Sequence, residues 1–175
     1  MLVEFKTLGA ILAGTRPRLL RTVGDDAAAV QTLRLFRHAV HLVLRSAVSA
    51  GPVVSGSDSL NAYLRATMGH APVETFRVLH LNAANRLLRD TMIATGTIDH
   101  VAVPVREIIA RALELGSAAL ILVHNHPSDA TEPSASDIDL TRRIAGVANA
   151  LDIMIHDHLI VGATGVFSFR RAGYL

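Results

Sequence analysis

The chain has 175 residues, half of them apolar, with a net charge of +2 and neither cysteine nor tryptophan. That length suits one α/β domain with a small helical appendage. Without cysteine there is no disulfide scaffold and no thiolate metal site, so any metal must be held by His and carboxylate.

The longest central apolar run, residues 118–123, falls far short of the roughly twenty residues of a membrane span, so a cytoplasmic protein is expected. Charge is unevenly placed. Residues 1–50 carry seven Lys or Arg against three acids, and the remaining 125 carry ten against twelve. Any attraction for nucleic acid should therefore be sought at the N-terminus.

The first fifty residues read as a helical segment. Residues 27–49 contain no Gly or Pro and are mostly apolar, and Asp25 and Asp26 precede them where a helix N-terminus favours carboxylates. Arg34, Arg37, His38, His41 and Arg45 recur every three or four residues, forming a basic stripe opposite an apolar face. Such a stripe is either a solvated face or, through Arg34, Arg37 and Arg45, a track for a phosphate backbone. Gly51-Pro52 ends the helix, and residues 51–71 supply a linker and a short helix over 59–68.

Residues 76–81 and 87–93 predict paired strands around a turn at 82–85, followed by a short strand at 100–103. Pro104 suits the first turn of a helix over 105–115, closed by Gly116. The run 118–123 predicts a central strand buried on both faces. A polar loop, a helix over 136–151 and two closing strands at 153–161 and 166–169 complete the chain. Alternating strands and helices with hairpins at both ends imply an α/β fold whose mixed sheet is flanked by helices.

Chemistry concentrates in residues 123–141, VHNHPSDATEPSASDIDLT. Residues i and i+2 of an extended segment share a face, so His124 and His126 can reach a common point at the end of the central strand. Asp137 falls in the first turn of the following helix if that helix starts at Ser134. Two imidazoles and one carboxylate with a fourth position open make the composition of a catalytic zinc site. Ser134 and Asp137 also form a helix-capping pattern that needs no metal. The conjunction with His-x-His at the edge where α/β sheets gather ligands favours the metal reading.

His-x-His-Pro with Ser and Asp downstream is the signature of the JAMM, or MPN-type, metalloprotease superfamily. HNHPS, PSxxD and DIDLT, with GTIDH, PVREIIARALEL and AALILVHNH upstream and DHLIVG and FSF downstream, resemble the RadC family over residues 72–175. Residues 5–49 more weakly resemble the helix-hairpin-helix region that precedes that domain, with Asp26 where a second glycine usually stands. The resemblance implies a cytidine-deaminase-like mixed sheet, and zinc, one per chain, on His124, His126 and Asp137. It also implies that Ser134 bonds the oxyanion formed during attack. A glutamate on an earlier strand is implied as well, taking a proton from the attacking water and passing it to the leaving nitrogen. Counting back from Gly96 puts Thr91 at that position, with Glu132 or Asp90 as substitute bases and Glu74 as a further candidate. Asp157 and His158 read either as support for a ligand imidazole, with Asp157 the acceptor, or as a polar pair on an edge strand. The histidines at positions 70, 80, 100 and 156 read as surface or core residues.

Three functions follow. The first is a zinc-dependent amide or isopeptide hydrolase acting on a peptide or isopeptide substrate. The second is a hydrolytically silent, metal-bearing module in DNA repair or recombination that binds nucleic acid or a protein partner. The third is a metal-dependent nuclease.

Overall fold

In a computed structural model of the chain, which describes residues 5, 7–96 and 103–175, the apolar run becomes strand β3, Ala119–Asn125, buried at all seven positions. Its neighbours are β1, Thr75–Leu81, and β4, Met154–Val161. Outside them lie β2, Leu87–Thr95, and β5, Val166–Ser168. The order is β2-β1-β3-β4-β5. The β3–β4 pair is parallel. The β1–β2, β1–β3 and β4–β5 pairs are antiparallel, so the sheet is mixed. The strand expected at 100–103 falls almost wholly outside the described residues.

Six helices accompany the sheet among the described residues: α1, Leu8–Ala13; α2, Arg16–Val23; α3, Ala27–Ser49; α4, Asp58–Met68; α5, Val105–Glu114; and α6, Ala135–Asn149. Both faces of β3 are covered, as its unbroken apolar run requires. Leu79, Ile121, Val123 and Leu159 pack against Leu60, Leu64 and Met68 of α4 on one face. Val78, Leu120 and Leu122 pack against Ile108 and Ala112 of α5 and Leu140 and Ile144 of α6 on the other. A small separate core of Phe5, Ile11, Leu19 and Val30 joins the N-terminal helices.

Local signals set the helix ends. Asp26 caps α3 by accepting from Ala29 N, and Ser57 caps α4 by accepting from Leu60 N. Between α2 and α3, Gly24 and Asp25 adopt left-handed φ of 67° and 61°. The face of α3 is not the simple one expected. Arg34 and Arg45 are exposed, but the Arg37 side chain turns to the N-terminal helices and donates to Leu12 O at 3.3 Å. Beside the stripe, Leu35, Phe36, Leu42 and Val43 are also exposed. No helix among the described residues is long and apolar enough to cross a membrane.

Candidate metal centre

The C-terminal end of β3 and the first turn of α6 meet at one point. His124 Nε2 and His126 Nε2 stand 2.9 Å apart. Asp137 Oδ1 lies 3.3 Å from His124 Nε2, and Asp137 Oδ2 lies 3.8 Å from His126 Nε2. Antiparallel pairing of β1 with β3 sets Phe76 beside His124, which carries Glu74, two residues earlier, to the same point. Glu74 Oε1 is 4.0 Å from His124 Nε2 and 3.7 Å from His126 Nε2. Glu74, His124 and His126 offer ligand atoms that all lie within 4.8 Å of one another. Asp137 approaches His124 more closely, at 3.3 Å, than Glu74 does, at 4.0 Å, so two carboxylates face the pair of imidazoles.

The donor set fits a small divalent cation. His126 Nδ1 faces the carbonyl of Ala130 at 2.5 Å; a carbonyl only accepts, so the ring proton sits on Nδ1 and leaves Nε2 as a lone pair. Asp137 Oδ1 is buried without a hydrogen-bond partner among the described residues, an arrangement costly to keep in a protein interior. A lone pair, an orphaned carboxylate oxygen and a second imidazole nitrogen thus face one another. Zinc held at roughly 2.0–2.2 Å by each would bring its ligand atoms about 3.3 Å apart, close to the separations present here.

Asp137 is also the N3 residue of a capping box. Ser134 Oγ accepts from Asp137 N at 3.2 Å, and Ser134 N donates to Asp137 Oδ2 at 2.8 Å. The Ser134 hydroxyl donates to the same Oδ2 at 2.6 Å and lies 2.8 Å from Ser136 Oγ at the exposed rim. The capping and ligand readings of this pair are therefore compatible, with one oxygen for each.

Behind the site, His124 Nδ1 lies 2.8 Å from His158 Nε2, and His158 Nδ1 lies 2.6 Å from Thr141 Oγ1. Phe76 stacks along His124 at 6.2 Å, and Phe169 stacks on His158 at 4.6 Å. This burial pulls the His124 imidazole down to about 4, against a smaller upward pull from Asp137, and holds His158 well below its ordinary value.

The structure redirects the expectations for Thr91, Asp90 and Asp157. Thr91, on β2 and two strands away from β3, pairs with Val78 of β1, and its buried hydroxyl has no partner among the described residues. Glu74, the further candidate, stands beside the imidazoles instead. Asp90 cannot stand in as base, because it takes a bidentate bond from Arg77 at 2.9 and 2.8 Å and a third from Tyr63 at 2.6 Å. Glu132 is exposed in the loop. Asp157 accepts no imidazole hydrogen bond. Its carboxylate gathers Ser55 Oγ, Ser168 Oγ, His158 N and Arg170 N on the other side of the sheet, and His158 supports His124.

Sequence reasoning passed over Asn125. Its Oδ1 accepts from Thr75 N at 3.0 Å and Thr75 Oγ1 at 2.7 Å, and its Nδ2 donates to Val73 O at 3.1 Å. The residue between the two histidines thereby grips the residues on both sides of Glu74. The Gly96 N–H, donating to Glu74 O at 2.8 Å, adds a further tie.

Comparison with known proteins agrees with this architecture. Residues 54–174 match the family model for the RadC-like JAB domain. A UPF0758 protein of Rhodobacter capsulatus is 43% identical over 175 residues, covering all of this chain and 82% of the relative. A UPF0758 protein of Ruegeria pomeroyi is 42% identical over the same length, 78% of that relative. The chain belongs to the RadC-like JAB-domain family.

Proposed function

We propose that the protein is a zinc-dependent amide or isopeptide hydrolase of the JAMM type, with His124, His126 and Asp137 as ligands and Glu74 as general base. The observation that carries this reading is the meeting of Asp137 Oδ1, without a hydrogen-bond partner among the described residues, with two imidazole nitrogens, beside the Glu74 carboxylate just ahead of β1. Bound there, zinc supplies Lewis acidity, acidifying water and polarising a carbonyl. Glu74 takes the proton of the attacking water as its oxygen bonds to the carbonyl carbon. As the C–N bond breaks, Glu74 returns the proton to the leaving nitrogen. The Ser134 hydroxyl, at the exposed rim, can turn from Asp137 Oδ2 to the oxyanion formed by that attack.

Glu74 Oε1, 3.7 Å from His126 Nε2, supports the hydrolase over the hydrolytically silent module, because it offers a base where Thr91 offers none.

The test pairs metal analysis with turnover of peptide and isopeptide libraries. Wild type should carry about one zinc per chain. Glu74→Gln should keep the metal and lose roughly 10²–10⁴-fold in rate, while Thr91→Val stays near wild type. Equal turnover by Glu74→Gln and wild type would remove Glu74 from the mechanism. A wild-type chain that takes up no zinc would remove the hydrolase.

A further inference from the structure

Proton bookkeeping behind His124 leads to a second layer of the site. The Thr141 hydroxyl lies 2.5 Å from the carbonyl of Asp137, one helical turn earlier. A carbonyl only accepts, so the single hydroxyl proton is spent there. Thr141 Oγ1 can therefore only accept from His158, 2.6 Å away, which puts the ring proton of His158 on Nδ1. In the neutral ring enclosed by Phe76 and Phe169, Nε2 of His158 is then an acceptor. It faces His124 Nδ1 at 2.8 Å, so His124 must donate from Nδ1, and its lone pair lies on Nε2, the atom aimed at Asp137 and His126.

We infer that Thr141 and His158 are positioning residues that fix the tautomer of His124, so that its Nε2 is presented as a metal ligand. The relay runs from the main-chain carbonyl of one ligand residue, Asp137, through two side chains to the ring of another, His124. Helix α6 thus sets both the carboxylate and the protonation pattern of the imidazole on β3. Thr141, His158 and His124 are all essentially inaccessible to solvent, so the three bonds hold the pattern without water. Metal-ligating histidines usually have a carboxylate, carbonyl or water at this place. A neutral imidazole leaves His124 a neutral ligand and adds no negative charge to the centre.

This inference rests on the metal reading above, and its test separates the two. Zinc affinity is measured by competition with a chromophoric chelator for wild type, Thr141→Val, Thr141→Ser and His158→Phe. Long-range ¹H–¹⁵N spectra of labelled histidines report each tautomer in metal-free wild type and in Thr141→Val. Thr141→Val, which keeps the shape and removes the hydroxyl, should weaken zinc about 10–100-fold. Thr141→Ser should restore wild-type affinity, a rescue that a packing role would not produce. His124 and His158 should both appear as Nδ1–H tautomers in the wild type, with the His158 pattern lost in Thr141→Val. Zinc bound equally by wild type and Thr141→Val, or His158 found as the Nε2–H tautomer, would overturn the relay. A wild type that binds no zinc yet has both rings as Nδ1–H would overturn the metal reading and leave the relay standing.

Discussion

Asp137 gives one carboxylate oxygen to Ser134 and turns the other away from it. Oδ2 closes the capping box through the Ser134 N–H and hydroxyl, at 2.8 and 2.6 Å, while Oδ1 is left facing His124 Nε2 at 3.3 Å. The cap fixes the χ angles of Asp137, and so aims the spare oxygen at the end of β3. A helix start that would be ordinary elsewhere thus sets a spare carboxylate oxygen beside two imidazoles. The ordering cost of that carboxylate is met by hydrogen bonds that the helix needs in any case.

Asp137→Asn separates these two duties. The amide can still serve the N-terminal turn of α6, so the metal-free variant should unfold within about 1 kcal/mol of metal-free wild type. Its zinc content should fall to background, because a neutral amide oxygen is a far poorer zinc ligand than a carboxylate. Urea unfolding with chelator present, alongside metal analysis, checks both halves. Full zinc occupancy in the variant would show that the carboxylate is only a cap.

Asn125→Ala should strike the reaction and spare the metal. The side chain contacts residues 73 and 75 and directs Glu74 between them. Its loss frees that segment, and a displacement near 1 Å of a catalytic group can cost about 10²-fold in rate. The expected pattern is a fall in kcat with zinc stoichiometry unchanged. A variant that loses zinc and activity together would place Asn125 in the folding of β3 instead.

The cluster of His124, His126 and Asp137 could be read in the sequence because its members are local: one histidine in β3, one just past its end, and an acid in the first turn of the next helix. The base could not. Glu74 and His124 are fifty residues apart, and only the antiparallel register that pairs Phe76 with His124 makes them neighbours. Counting back from Gly96 lands on β2, one strand too far out. Of the pair Asp157 and His158, only the second reaches the His124 ring, and the acceptor role expected of Asp157 failed for a related reason. Leu120 pairs with Ile155, but Ile121 pairs with Asp157, so a bulge at His156 reverses the alternation along β4. Nothing in the residue pattern announces that extra residue. The sheet order was legible only as a mixed sheet, whereas the strands and helices themselves were visible from apolar runs, turn residues and caps.

The basic stripe on α3 leads to a narrower expectation than its sequence suggested. Arg37 is occupied by Leu12 O, which leaves Arg34 and Arg45 as the exposed arginines of the three. If the helix binds a nucleic-acid backbone, Arg34→Ala and Arg45→Ala should each reduce the salt slope of binding by about 1. Arg37→Ala should leave the slope alone and loosen the N-terminal helices. Fluorescence anisotropy with a short duplex from 50 to 200 mM salt would test this. A slope that drops for Arg37→Ala alone would mean that the Leu12 contact breaks on binding.

Acid sensitivity should arise in part from His80, far from the site. Burial pulls its imidazole from 6.5 to about 4, with a smaller contribution from the Arg111 charge. Nδ1 reaches Ser117 Oγ at 3.1 Å, and Nε2 is buried with no partner among the described residues. Between pH 6.5 and 4 the folded ring therefore stays neutral while the unfolded ring takes up a proton. The unfolded state binds more protons across that window, so stability rises with pH there and is lost as pH falls from 6.5 towards 4. For this shift the loss is roughly 2–3 kcal/mol at the acid end. His80→Gln, which cannot titrate, should flatten the profile of the metal-free protein by about that amount and leave stability at pH 8 changed much less. Chemical unfolding of both proteins at half-unit steps decides the matter: parallel profiles would mean that His80 is protonated in the folded state.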